Sequence, residues 1–383
     1  MARARHDVVI VGAGIAGASL AYFLAKRGRG DVLLLEREAH LAVHSTGRSA
    51  ASLARYDSHP TLLDLKLLAA PFFEEPPADF SESPVLKRSG VMQLFSDEGW
   101  AAFERKSAGL AAKGLRFEKL TPSGARERVS ALEGGFAGAL FVPDDGRLDV
   151  HEILASYLRH ARAAGAQLRL GAEVADFTST AGRLTGVRLR DGDEIDADLI
   201  VDAAGGWAGE VARRAGASDI SIVPHRRTLF TFAAPAGLDF QHWPLTASDP
   251  HSIYFTPEAG ELMLSPMDEE PIAPCDPTPV DAVMAAAIER FRELAPSLVP
   301  QAIRRRWSGL RSFSPDRAHV VGEDPQRPGF FWLAGQGGCG IETSPAVGRI
   351  AADLIVGGKT EIFDAARIAP GRFLASSGAV RAT

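Results

Sequence analysis

The feature that most constrains this chain is the run GAGIAG at residues 12–17. It follows the apolar stretch Val8, Val9, Ile10 and Val11 and leads into small and apolar residues that read as a helix over 18–26. Placed between a strand and a helix, G-x-G-x-x-G is a dinucleotide-binding turn. Gly12 permits the tight turn, Gly14 lets the backbone approach a pyrophosphate, and Gly17 lets helix and strand pack closely. The first helical turn, with Ile15 and Ala16, presents free N–H groups and a positive dipole end to phosphates. A second apolar strand, Val32, Leu33, Leu34 and Leu35, ends in Glu36 and Arg37. The carboxylate lies about twenty residues on, where one accepts the ribose hydroxyls of a dinucleotide. The motif alone does not choose between NAD and FAD; the segments that follow do.

The chain has 383 residues, enough for two domains, with 46% hydrophobic and 23% charged residues. A net charge of −6 without a basic tract argues against nucleic acid as a partner. Two cysteines, Cys275 and Cys339, form no C-x-x-C, and the ten histidines form no metal-binding spacing, so neither a disulfide framework nor a metal is expected. The first apolar run is the dinucleotide-binding strand, too short for a membrane span and without signal-peptide layout. The expectation is a soluble, cytoplasmic protein without a membrane span.

Periodicity predicts helices over 61–74, 97–113 and 150–164, the last with Asp149 as N-cap and Gly165 beyond its end. Strands are expected at 91–95, 167–170, 187–190, 195–201, 227–233, 304–311, 318–322 and 330–334, with a hairpin turn at Asp191-Gly192. DAAGGWAGEVARRAG reads as a strand end, a small-residue turn and a helix, and a final helix is expected over 345–356. The dinucleotide signals thus fall into three blocks, 1–82, 149–218 and 319–383, separated by β-rich blocks at 83–148 and 219–318. This order predicts an α/β (α+β) fold: a Rossmann-like FAD-binding domain assembled from the three blocks, and a substrate domain built on a mainly antiparallel sheet from the other two. A substrate would sit between them.

Four stretches carry a resemblance to a known family: VVIVGAGIAGAS with LLEREAHLAVHSTGRSAA; DAAGGWAGEVA; PHRRTLFTF; and WSGLRSFSPDRAHVVG with GFFWLAGQGGCGIETSPAVG. They resemble the FAD-dependent D-amino acid oxidase/dehydrogenase superfamily, which includes glycine and sarcosine oxidases, and within it the bacterial catabolic D-arginine dehydrogenases. The resemblance covers nearly the whole chain and implies FAD. It places His44, Ser45, Thr46, Gly47, Arg48, Ser49, Ala50 and Ala51 along the pyrophosphate and ribityl chain, and Val174 at the adenine end. Ala203, Ala204, Gly205 and Trp207 line the cleft, and Gly335, Gly337, Gly338, Cys339, Gly340 and Ile341 lie against the isoalloxazine. The following helix, starting near Thr343, turns its positive end to the N1/C2=O edge of the ring.

The same resemblance implies the substrate residues. Arg227 and Arg311 fall on the two arginines that hold the substrate carboxylate, a task suited to the guanidinium fork. Arg226, Arg304, Arg305 and Arg306 are expected on outer faces. Tyr254 matches a pocket tyrosine, and the Gly338 carbonyl matches the group that receives the amine. Ser52 falls where the family has a pocket histidine, Ala54 where it has a threonine, and Asp57 on a lid tyrosine, with Tyr56 one residue away. Val91 falls on the carboxylate that binds an arginine side chain, and Leu245 and Ala247 on apolar contacts. Gly309 falls where sarcosine oxidases carry the cysteine that tethers flavin, so FAD is expected to be non-covalent.

These matches imply oxidative deamination of D-amino acids to imino acids, hydrolysed to 2-oxo acids and ammonia, with neutral or apolar side chains favoured over D-arginine. Residues 52–60 are expected to form a lid. Oxidation of secondary amines, such as N-methyl amino acids or proline, and a non-catalytic FAD-binding subunit stand as alternatives. The electron acceptor, oxygen or a quinone or other redox carrier, stays open, as does the oligomeric state.

Overall fold

The computed structural model describes residues 3–374; the outermost residues of the expected first and last blocks, 1–2 and 375–383, lie outside it. The first strand, Ala4–Val11, lies at the centre of an eight-stranded sheet, parallel on one side to Val32–Leu35 and on the other to Glu194–Asp202. Gln167–Arg169 extends one edge. Glu194–Asp202 divides its far edge. Its start pairs antiparallel with Arg183–Leu189, while Ile200, Val201 and Asp202 pair parallel with Phe330, Phe331 and Trp332. Strands from three separated stretches of chain therefore meet in one sheet.

Helices cover one face of this sheet. Ile15–Ala25 is buried along ten of its eleven residues and packs against Val150–Ala163 and Gly340–Gly357 over one apolar core. The approaches are too close for side chains. A Cβ on Gly17 would collide with the carbonyl oxygen of Gly12, and one on Gly348 would come within 3.0 Å of the backbone carbon of Ser19.

A second sheet of nine strands runs in the order Gln336–Gly337, Ile303–Phe313, Val223–Phe232, Glu261–Ser265, Ile253–Glu258, Leu245–Ser248, Val91–Phe95, Gly138–Val142, Glu118–Leu120. It is antiparallel except where Leu245–Ser248 pairs with Val91–Phe95. One face packs on Asp281–Leu294 through Phe230, Phe232, Phe255 and Phe291. The other faces the first sheet. Ser312 and Phe313 pair with Gly337 and Gln336, which tie the second sheet to the loop leaving the first.

The predicted helices at 61–74, 97–113 and 150–164 are found as Pro60–Glu74, Asp97–Ala112 and Val150–Ala163, and Asp149 accepts from the Glu152 N–H at 2.9 Å. Three differences have physical causes. The final helix starts at Gly340 rather than near Thr343 or at 345, because the Cys339 carbonyl already accepts from the Thr343 N–H; Pro345 sits inside the helix instead of opening it. The strand expected at 187–190 starts earlier, at Arg183, because Ala181 and Gly182 (φ +49° and +83°) turn the chain back on Val174–Thr180, whose polar, half-exposed residues carry little strand signal. Residues 52–60 are fastened. The Ala54 N–H donates to Glu342 at 2.7 Å, Arg55 binds the buried Asp145, and Asp57 pairs with Lys66, so the segment is a wall and not a free lid.

Asp202 ends its strand fully buried, with only the Ala204 N–H donating to it, at 3.1 Å, and its Oδ2 without a partner. Burial pushes its pKa up to about 8, only partly offset by that hydrogen bond. Its unfolded value lies near 4, so the folded state holds the extra proton between about pH 4 and about pH 8 and loses stability as pH rises through that window. Replacing Asp202 by Asn should flatten that loss. Thermal midpoints of the two proteins, measured at mildly acidic and mildly alkaline pH, should converge on the acid side and separate in favour of the variant on the alkaline side.

Candidate functional site

A continuous trough crosses the molecule between the sheets in three compartments that share residues. The first lies at the C-terminal ends of the parallel strands and is lined by Gly12, Gly14, Glu36, Arg37, His44, Val174, Ala203, Ala204, Gly205 and Trp207. Gly12, at φ +107°, has no room for a Cβ against the Ala203 carbonyl. Glu36 is oriented by the N–H groups of Ala13 (3.2 Å) and Glu38 (3.0 Å). The Arg37 guanidinium lies 3.8 Å over the Trp207 ring, and His44 packs on the same ring.

The second compartment shares Gly14, Ser45, Thr46, Ala203 and Gly205 with the first. Ile15 and Ala16, opening the first helix, face it together with Arg48, Ser49 and Ala50. The Thr46 hydroxyl accepts from the Ile15 N–H at 3.1 Å, and the side chain of Arg48 donates to the Val43 and Ser308 carbonyls. From the other side come Gly309, Leu310, Arg311 and the loop of Gly337, Gly338, Gly340 and Ile341.

The third compartment, about 720 Å³, shares Ser49, Ala50, Arg227, Tyr254, Arg311 and Gly338 with the second. Ala51, Ser52, Ala54, Tyr56, Asp57, Leu245, Ala247 and Cys339 line it. Arg227 is 3% exposed and donates through Nε to the Asp268 carbonyl at 2.9 Å and through Nη2 to Glu269 at 2.8 Å; Nη1, also buried, has no partner among the described residues. Burial, followed by the neighbouring Arg311, lowers its pKa to about 10, and it stays charged at neutral pH. Arg311 crosses Gly338 so closely that a Cβ there would lie 2.7 Å from Nη1.

Several expected residues lie elsewhere. Val91 is not among the lining residues: on that strand Gln93 and Phe95 line the cavity, one and two residue pairs further along the same face, because alternate residues of a strand share a face. Gly335 and Gly47 do not line the trough. Gly335, at φ +71°, turns the chain over Ser314 and Val320, and Gly47 packs on the Ala42 carbonyl. Gly17 serves helix–strand packing, as its spacing implied.

The sequence reading missed an ion cluster. Lys66 is buried and pairs with Asp57 at 2.9 Å and Glu342 at 3.1 Å. Burial opposes its charge, but Glu342 and Asp57 outweigh that and raise its pKa. Its signal was the one lysine within TLLDLKLLAAPFF. Next to it, burial pushes the Cys339 thiol up to about 12 and lowers the buried His319 to about 3, keeping both uncharged. Glu269, Arg317 and Asp249 also line the third compartment and gave no sequence signal. Among the described residues no group of side chains could hold a metal, and no helix is long and apolar enough to cross a membrane.

A glycine-walled trough opening at a strand–helix turn, with the Glu36 carboxylate at one end, is the arrangement of a dinucleotide-dependent oxidoreductase. Residues 7–354 match the model of the DAO family of FAD-dependent oxidoreductases, and the chain belongs to that family. Its cofactor is FAD. The chain is 28% identical to glycine oxidase of Geobacillus kaustophilus, over 92% of this chain and 93% of that protein. It is 26% identical to the FAD-dependent oxidoreductase domain-containing protein 1 of Bos taurus, over 92% of this chain and 82% of that protein. The structure of L-proline dehydrogenase from P. horikoshii superposes with a TM-score of 0.85 at 24% identity, over 98% of this chain and 99% of that one. The fold is thus the two-sheet α/β arrangement of that family, and the chemistry is FAD-dependent oxidoreduction.

The residues present fit FAD: close-approach glycines stand where a diphosphate would pass, and Glu36 where a ribose would. With glycine at position 309 and the Cys339 thiol held protonated by burial, denaturation should release all the FAD into the supernatant. Flavin retained by the precipitated chain would contradict this.

Proposed function

We propose that the protein oxidises D-amino acids to imino acids, with the side-chain end of the cavity favouring neutral groups. The observation that carries the reading is the free Nη1 of buried Arg227, beside Arg311 and the Gly338 loop. A buried donor without a partner costs free energy unless a ligand completes it. Arg227 and Arg311 would hold the substrate carboxylate, and the Gly338 carbonyl would accept from the amine. Two nearby cations favour the neutral form of that amine, which oxidation requires. FAD, when bound, supplies the two-electron acceptor for the Cα hydride. Tyr254 and the wall at Ser52 close the cavity around the substrate. We assign residues 1–82, 149–218 and 319–383 to the FAD-binding domain and 83–148 and 219–318 to the substrate domain.

Phe95, Leu245, Ala247, Met267 and Phe313 support the preference for neutral side chains, and the charge of Asp57 is committed to Lys66. Asp249 forms no ion pair among the described residues but is exposed and held by Gln93 at 2.6 Å. D-Leucine or D-phenylalanine should therefore be turned over faster than D-arginine, and Asp249→Asn should leave that order unchanged. Preference for D-arginine that is lost in Asp249→Asn would overturn the side-chain reading. The D configuration rests on the resemblance to the D-arginine dehydrogenase branch. A second reading, oxidation of secondary amines, is supported by the likeness to L-proline dehydrogenase. Product analysis separates the two: ammonia and a 2-oxo acid for the first, a primary amine or a cyclic imine for the second.

Arg311→Ala and Arg227→Ala should each retain FAD and lower kcat/KM about tenfold to several-hundredfold, since a hydrogen bond to a charged group contributes about 1.5–3 kcal/mol. Near-parent kinetics would remove that arginine from the site. Gly338→Ala should raise KM more than it lowers kcat, because its Cβ displaces the Arg311 guanidinium. Steady-state kinetics with the best D-amino acid check all three.

A further inference from the structure

Residues 266–272 run beside the first half of Val223–Phe232 and are fixed to it at successive points. The Asp268 carboxylate accepts from the Thr228 N–H at 2.7 Å and from its hydroxyl at 2.8 Å. The Arg226 N–H donates to the Glu270 carbonyl at 2.9 Å, and the Ile272 N–H to the Pro224 carbonyl at 3.0 Å. This rigid frame delivers Glu269 to the cavity wall. One oxygen of Glu269 accepts from Arg227 Nη2 and the other from Arg317 Nη2, each at 2.8 Å. Arg317 in turn lies 3.8 Å over the Phe313 ring. Glu269 thus occupies, from within the chain, the donors that a second carboxylate of a substrate would use, while Nη1 of Arg227, itself buried, has no partner among the described residues.

We propose that Glu269 is a positioning and specificity-determining residue: it fixes Arg227 for a single substrate carboxylate and excludes substrates with a second one. The proposal rests on the carboxylate clamp described above and names the substrate class as monocarboxylates. Two physical effects act together. Holding Nε and Nη2 fixes the Arg227 guanidinium in one orientation before a ligand arrives, and a second carboxylate would meet the charge of Glu269 and donors already taken.

The test uses the FAD-loaded protein and a matched pair of ligands that differ by one charge, succinamate and succinate, titrated while flavin absorbance is followed. The parent should bind succinamate about tenfold or more tighter than succinate, since like charges placed together are costly. Glu269→Ala should reverse or abolish that ratio, because succinate can then reach Arg227 and Arg317. Glu269→Gln should keep succinamate binding within a few-fold of the parent, its amide oxygen still accepting from Arg227, while narrowing the ratio. FAD content and thermal midpoint establish that both variants are folded. Equal binding of the two ligands by the parent, or a ratio unchanged in both variants, overturns the proposal. Turnover of D-glutamine against D-glutamate gives a second, independent ratio with the same expected directions. Because the ligand titration needs no turnover, a protein that oxidises no amino acid but shows the predicted ratios refutes the proposed reaction while upholding the role of Glu269.

Discussion

Two residue pairs join the two sheets at the site. Ser312 and Phe313, at the end of the eleven-residue strand that carries Arg311, pair with Gly337 and Gln336 in the loop that leaves the dinucleotide-binding sheet. Around this seam the same strand is also held by the Ser45 hydroxyl on the Leu310 carbonyl, by the Arg48 side chain on the Ser308 carbonyl and by Trp307 Nε1 on the Arg48 carbonyl. At the seam, Arg311 is laid across Gly338, and the helix that starts at Gly340 is aimed at the same point. The long ladder between Ile303–Phe313 and Val223–Phe232 then sets Arg227 beside Arg311. The geometry of the clamp follows from strand register, so a slip of either strand by one residue would turn its arginine to the opposite face.

The electrostatics of the cavity follow a rule of local compensation, from which Arg311 and Asp249, in no ion pair among the described residues, and one nitrogen of Arg227 depart. Lys66 answers Asp57 and Glu342, Glu269 answers Arg317 and one nitrogen of Arg227, and Arg55 answers Asp145. Buried charges are tolerated when paired and hydrogen-bonded. Arg227 as a residue lines both the cofactor trough and the third compartment.

Much of this was legible in the sequence because it rests on close backbone approach and on strand register. Gly12, Gly14 and Gly17 announce the turn, Glu36 the second strand, and the four longer motifs the cofactor walls. What stayed hidden depends on which residues the fold brings together from afar. Val91 and Gln93 share one face of their strand, and only the placement of that strand in the sheet decides which reaches the cavity. Lys66 and Glu342 are 276 positions apart, so their pairing has no local pattern. Glu269 sits in a loop whose position is set by Asp268 and Thr228. The lid expected over 52–60 failed for the same reason, since the groups that fasten it, Asp145, Lys66 and Glu342, come from other parts of the chain.

The account stands on a carboxylate-anchored amino acid presenting its Cα–H to the cofactor from one fixed side. The most direct measurement mixes the FAD-loaded protein, without air, with the D and L forms of one neutral amino acid such as leucine, and follows the flavin absorption. The account predicts that the D form bleaches the flavin and the L form does not; readmitting air then reports whether oxygen is the acceptor. Flavin that stays oxidised with both forms, or is bleached by the L form alone, would contradict it.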